Sequence, residues 1–409
     1  MTAVDPSLQA QVDAQLLEQG VFAPLELLFN CGRLSYSDYE SWRRREIELL
    51  DHVLMGNRDR IKAEMEQAAK YARRIGLVEQ PQEFLAWHTN DAAVPSAPGA
   101  GQHDKPLRIS LDADLQRLIG SRYLRAQNVP QMDLFFDNPI VAVTTGIVRA
   151  LTSRNLPDAQ RLLDQLYAQA PNHADLAAFD QLLAALGRLG HPLEDPREEL
   201  AALTETTPTA RRLLGAQWRD LMAPLWRQLA EALAGTPYDA NEPALHRSFA
   251  LGQAQDWAGV SDSVLCEPDW QQHAQLCLRL AESAFQRRRR TEALAAWCQV
   301  CWRDPSCTAA AARKLRQQDL TILWQRFLDE ESELTEADFP AWLLLQEPGL
   351  ALQLAVDLPP GETAAEDGYR CVHRWLQARR AKRHGDELEL RKTLQSQHPP
   401  LFDLLKRTV

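Results

Sequence analysis

The chain has 409 residues, a formal net charge of −11 and 45% hydrophobic residues, a length and balance that allow two or three folded domains. The acidic surplus disfavours general nucleic-acid binding, because phosphate contact needs a basic field. No apolar run approaches the roughly 20 residues of a membrane helix, no secretory leader opens the chain, and seven scattered cysteines do not read as a disulfide framework. The expectation is a soluble cytoplasmic protein. Leu, Ala, Gln, Glu and Arg dominate over Ile, Val and Gly, which favours helix because unbranched side chains lose little rotamer freedom there.

In chain order, residues 1–88 read as a small helical domain. Asp5-Pro6 starts a first helix that Gly20 ends, and Phe22 to Asn30 is a short apolar helix closed by Gly32. Ser37-x-x-Glu40 is a capping box opening a helix that runs to Met55. Within it, Arg43 to Arg45 are followed by Glu46 and Glu48 and read as a self-paired face. Asn57 to Ile75 is an amphipathic helix stopped by Gly76. Residues 89–106, TNDAAVPSAPGAGQHDKP, are rich in Ala, Pro and Gly, and predict a flexible linker and a domain boundary. From 107 to 409 helix and short turn alternate without a convincing strand. Asp195-Pro196-x-Glu198 and Thr207-Pro208 read as helix starts, and Pro224 as a kink in a helix from Ala210 to Leu233.

Cys277 to Pro305 predicts two short helices folded back on each other. Leu280, Ala281 and Ala284 share one stripe, Ala293, Trp297 and Val300 another, and Arg287, Arg288, Arg289 and Arg290 fall at the turn. These residues resemble a tetratricopeptide-type (TPR-like) repeat, whose signature positions fall here on Cys277, Leu280, Ala281, Ala284, Ala293, Trp297 and Pro305. Pro139 to Pro171 is similar over its second helix, through Ala159, Leu163, Leu166 and Pro171, but carries Gly146 and Ile147 where Leu and then Ala or Gly belong. Ala159 and Ala293 lie 134 residues apart, close to four periods of about 34. Tyr369 to Pro399 keeps Ala378, a polar turn and the proline, with Arg374 and Glu387 at positions that ask for apolar or small residues.

The resemblance implies an all-α protein, with the N-terminal helical domain followed over 107–409 by a right-handed α-solenoid of TPR-like hairpins. It implies a non-catalytic scaffold, adaptor or assembly factor that binds another protein. Partner contacts would come from exposed positions of the first helix: Gln275, Leu278, Arg279, Glu282, Phe285 and Gln286. Two readings stay open for them, a partner groove or a face covered by a neighbouring helix of the same chain.

The basic turns add a second surface. Arg287 to Arg290, and Arg379, Arg380, Lys382 and Arg383 at the equivalent turn of the third hairpin, would share one edge of a solenoid and suit a partner with an acidic surface. Pairing with the chain's own carboxylates is the open alternative. Cys298-x-x-Cys301 lies on the i, i+3, i+4, i+7 stripe of a helix and reads as core, since no further ligand pair completes a zinc set. The acidic run Asp329, Glu330, Glu331, Glu333, Glu336 and Asp338 lacks EF-hand spacing, and Thr335-x-x-Asp338 resembles a helix cap. No HExxH, GxSxG, Walker or dinucleotide motif occurs, so no cofactor or metal is expected. The alternative function is a helical enzyme with its site between the N-terminal domain and the solenoid, where His88 or His103 would face the acidic run. A regulator touching nucleic acid through its arginine clusters is a third.

Overall fold

The computed structural model describes residues 5–87, 106–125, 139–308, 318–330, 333–354 and 363–408. Helix dominates, as the composition predicts. The chain divides into two compact units, Met1–Thr236 with Ala244–Asp256, and Pro237–Pro243 with Trp257–Val409.

In the first unit, α1 (Pro6–Gln19), α2 (Pro24–Asn30), α3 (Tyr36–Arg43), α4 (Arg58–Arg74) and α5 (Ala113–Ile119) enclose a core that includes Phe22, Leu28, Trp42, Ile61, Met65 and Phe84. Several expected ends hold. Pro6 opens α1, Asn57 caps α4 by accepting from the Arg60 amide at 3.0 Å, and Gly76 follows α4 at φ +85°, which an L side chain rarely adopts. Other ends move. The cap of α3 is Ser35, whose Oγ accepts from the Asp38 amide at 3.1 Å, so Ser37 lies inside the first turn. That helix stops at Arg43 instead of Met55, because Arg45 enters the left-handed region at φ +62°. α2 begins at Pro24 because Val21–Phe22 is extended.

Those two extended residues belong to a three-stranded sheet, a departure from the all-α expectation. β1 (Val21–Phe22) pairs with β3 (Ser121–Arg125), and β3 with β2 (Leu77–Pro81), all antiparallel in the order β1-β3-β2. Strands this short offer too few residues for alternation to register. Leu107, Ile109 and Tyr123, beyond the expected linker, share the core of Trp42 and Phe84 before it. The linker itself, apart from Pro106, lies outside the described residues.

The unit is completed by α6 (Pro139–Thr152), α7 (Leu156–Gln169), α8 (Leu176–Arg188), α9 (Pro196–Leu214), α10 (Trp218–Ala232) and α11 (Arg247–Gln253). α6 and α7 form the expected hairpin and bury Ala159, Leu163 and Leu166. A Cβ on Gly146 would stand 3.1 Å from Leu162 Cδ1, so the glycine admits Leu162 where the resemblance asks for Leu. Asp195 caps α9 as expected, but Pro208 lies inside that helix instead of starting another. The break before α10 falls at Gly215, not at Pro224. Gly215 at φ +55° cannot continue a right-handed helix, whereas Pro224 removes a single hydrogen bond within α10.

The second unit holds α12 (Trp257–Leu265), α13 (Ala274–Gln286), α14 (Arg290–Arg303), α15 (Gln318–Leu328), α16 (Phe339–Gln346), α17 (Ala364–Arg380), α18 (His384–Gln397) and α19 (Pro399–Thr408). Its core is aromatic. Trp297 meets Phe339 edge to face at 4.9 Å between centroids and Trp324 at 5.6 Å, an arrangement the ring quadrupoles favour.

Candidate functional site

The hairpin turns position the basic residues. Arg288 after α13 and Lys382 after α17 are both left-handed, at φ +58° and +55°. In each turn the next two amides close back on the helix: Arg288 N–H to Phe285 O and Arg289 N–H to Ala284 O; Lys382 N–H to Arg379 O and Arg383 N–H to Ala378 O. This is the Schellman arrangement, here without its usual glycine. Arg154 after α6 (φ +59°) and Gln255 after α11 (φ +60°) repeat it, with Asn155 and Asp256 donating to Ala150 O and Leu251 O.

The residues around the first basic turn meet groups of their own chain. Arg287 donates to Ser261 Oγ at 3.2 Å, Arg289 pairs with Glu292 at 3.2 Å, and Arg290 with Glu347 at 3.3 Å. Arg383 pairs with Asp386 at 3.2 Å. On α13, Gln275 is exposed, while Arg279, Glu282, Phe285 and Gln286 are half-buried and Leu278 is buried. α12 lies along this helix, with Ser261 and Ser283 hydroxyls 2.5 Å apart and Ser283 donating to Trp257 O at 2.8 Å. Arg279 donates to Pro243 O at 2.7 Å, and burial pulls its guanidinium down to about 10. Much of the expected contact face therefore meets neighbouring segments of the second unit.

A groove of about 500 Å³ lies where α16, the 3-10 segment Pro348–Leu352 and α17 meet. Leu345, Leu352, Trp375 and Leu376 line it together with Arg379 and Arg380. Leu352 is 55% exposed, and the Arg379 guanidinium sits 5.2 Å from the Trp375 ring centre. The Arg287–Arg290 turn approaches the same segment. Arg290 meets Glu347 just before it, and Thr291 donates to Gln353 just after it at 3.0 Å. Arg379 and Arg380 therefore line the groove, while Arg290 and Thr291 hold the chain on either side of its 3-10 wall. Leu345 and Leu352, from the apolar stretch between Phe339 and Leu354, and Trp375 of α17 are groove residues that the repeat pattern does not mark.

A different cluster occupies the first unit. Arg43, expected on a self-paired surface, is buried with Asp220, and also donates to Tyr39 Oη at 2.6 Å and Leu85 O at 2.7 Å. Burial raises the Asp220 carboxyl against the pull of Arg43 and Arg154, and raises the Tyr36 and Tyr39 hydroxyls. Glu40 meets Arg227 at 2.6 Å, and Arg44 and Arg154 at 3.8 and 3.9 Å. Arg154 lies 3.5 Å from the Trp87 ring centre and donates to Asp220 O at 2.8 Å. The helix pattern could not reveal this cluster, because its members come from residues far apart in sequence.

The remaining candidates resolve into structure. Cys298 and Cys301 are buried, with Cys298 on the same wall as Trp297, and burial pushes its thiol up to about 12. Thr335 and Asp338 form the capping box, and Glu330 accepts from Trp342 Nε1 at 3.4 Å. His88, His103 and Glu331 lie outside the described residues. Comparison of the chain with protein-family models, curated proteins and solved structures finds no significant match in any of the three.

Proposed function

We propose that the protein is a non-catalytic adaptor or assembly factor of the cytoplasm, built on degenerate TPR-like hairpins stacked as a solenoid, and that its second unit binds an acidic, apolar-anchored segment of a partner protein. The observation that carries this reading is the groove of Leu345, Leu352, Trp375 and Leu376, bordered by Arg379 and Arg380. Apolar side chains of a partner would fill the groove and displace water, and partner carboxylates would meet the two guanidinium groups. The repeat part of the reading is supported by the recurring turn. Its left-handed positions Arg154, Gln255 and Arg288 are spaced by 101 and 33 residues, near multiples of a repeat of about 34, whereas Arg45 precedes Arg154 by 109 and Lys382 follows Arg288 by 94 and both depart from that period.

A photo-crosslinking residue at Leu352 tests the proposal in the source cell, with wild type and Arg379→Glu/Arg380→Glu chains compared. The expected result is a discrete crosslinked protein whose mapped segment carries acidic residues around an apolar anchor, and which the charge-reversed chain loses. Crosslinks absent above background, or unchanged by the reversal, would remove the groove from the function.

A further inference from the structure

The arginine cluster of the first unit has no part in that function. We propose that it is a binding site for a phosphate-bearing small molecule, with Arg44, Arg154 and Arg227 holding the phosphate.

The three guanidinium groups come from three separate elements: the end of α3, the turn after α6, and α10. They line a groove of about 580 Å³ whose other walls include Leu189, His191, Leu193 and Pro224. Three arginines and one carboxylate, Glu231 at the exposed rim, line the groove, while Glu40 lies beneath them and Asp256 acts on Arg227 from nearby. Glu40 bonds Arg227 at 2.6 Å but stands 3.8 and 3.9 Å from Arg44 and Arg154, beyond hydrogen-bond reach. Arg154 Nη2 is buried and meets no hydrogen-bond acceptor of the protein. The rest of the Arg154 side chain, 12% exposed, reaches the groove lining, which is how this residue would meet an anion bound there.

The wall opposite is fixed. Gln228 accepts from the Gly190 amide at 2.9 Å and donates to the carbonyls of His191 at 2.5 Å and Arg188 at 3.3 Å, which pins the loop after α8. Donors carried by three separate elements can surround a tetrahedral oxyanion, whereas one guanidinium can satisfy a planar carboxylate side-on. Leu189, Leu193 and Pro224 offer apolar surface to the rest of such a molecule.

Calorimetric titration of the full chain with inorganic phosphate, phenyl phosphate and succinate, at constant ionic strength, tests the site. Wild type is expected to bind phenyl phosphate saturably and to bind succinate at least tenfold more weakly. Arg44→Gln, whose side chain is 40% exposed and outside the core, is expected to keep its circular dichroism and weaken phenyl phosphate at least tenfold. Arg227→Gln is expected to do the same; if it does not fold, Arg44→Gln decides alone. Absent saturable binding of both phosphates, or undiminished binding by folded Arg44→Gln, would overturn the proposal. Succinate binding as tight as phenyl phosphate would overturn the phosphate class.

Discussion

Arg43 and Asp220 stand 177 residues apart in sequence and form an ion pair whose side chains are 1% and 2% exposed. The pair ties α3 to α10, and Tyr39, Leu85 and Thr152 complete the donors and acceptors around it. Desolvating both charges is costly, so such a pair holds only while every member is present. Asp220→Ala is expected to destabilise the first unit by about 3–5 kcal/mol, whereas Arg43→Met with Asp220→Leu costs less, because no charge is left alone. Urea unfolding followed by circular dichroism distinguishes the two. Equal losses would mean that packing, not the stranded charge, sets the cost.

The left-handed turns give a prediction of opposite sign. A non-glycine residue there carries about 1–2 kcal/mol of strain, partly offset when glycine frees the unfolded chain. Lys382→Gly is therefore expected to stabilise the second unit by about 0.5–1 kcal/mol, and Lys382→Val to destabilise it. A lower melting temperature for the glycine variant would contradict the turn geometry.

His373 supplies a pH dependence. It is fully buried, its Nε2 lies 2.9 Å from Leu354 O, and burial lowers its pKa below 6.5 against the hydrogen bonds to the Leu354 and Ala351 backbone, which raise it, with Arg374 adding a smaller lowering effect. The folded state thus binds fewer protons than the unfolded state just below pH 6.5, and stability falls as pH drops through that window. His373→Gln, which retains a donor, is expected to flatten the dependence of melting temperature between about pH 7 and 5. An unchanged slope would assign it to other groups.

The cysteines should separate by burial. Cys266 is exposed, whereas Cys277 and Cys298 are pushed up to about 12 and Cys371 to about 11 by their apolar surroundings. Brief maleimide labelling at neutral pH, read by peptide mapping, is expected to modify Cys266 and spare the other three until denaturant is added. Rapid native labelling of Cys298 would contradict its place in the core.

The sequence made some of these features legible and hid others. Hairpins with continuous apolar stripes, such as Cys277 to Pro305, could be read because period 3.6 survives in the residues themselves. Asn57, Asp195 and Gly76 marked helix ends because each supplies a local hydrogen bond or dihedral angle. Ser35 and Ser37 compete for one cap, and only backbone geometry assigns it to Ser35. The strands were too short to show alternation. The groove at Leu352 and the cluster around Glu40 depend on residues brought together by packing, for which a single sequence holds no local signal.

The most direct test of the central claim is the affinity of the segment mapped from the Leu352 crosslink, synthesised as a labelled peptide and titrated by fluorescence anisotropy. Wild type is expected to bind it at least tenfold more tightly than Arg379→Glu/Arg380→Glu, a difference of about 1.4 kcal/mol, and to lose affinity as salt rises. Equal affinities for the two chains, with no response to salt, would contradict a charge-guided groove and with it the adaptor account.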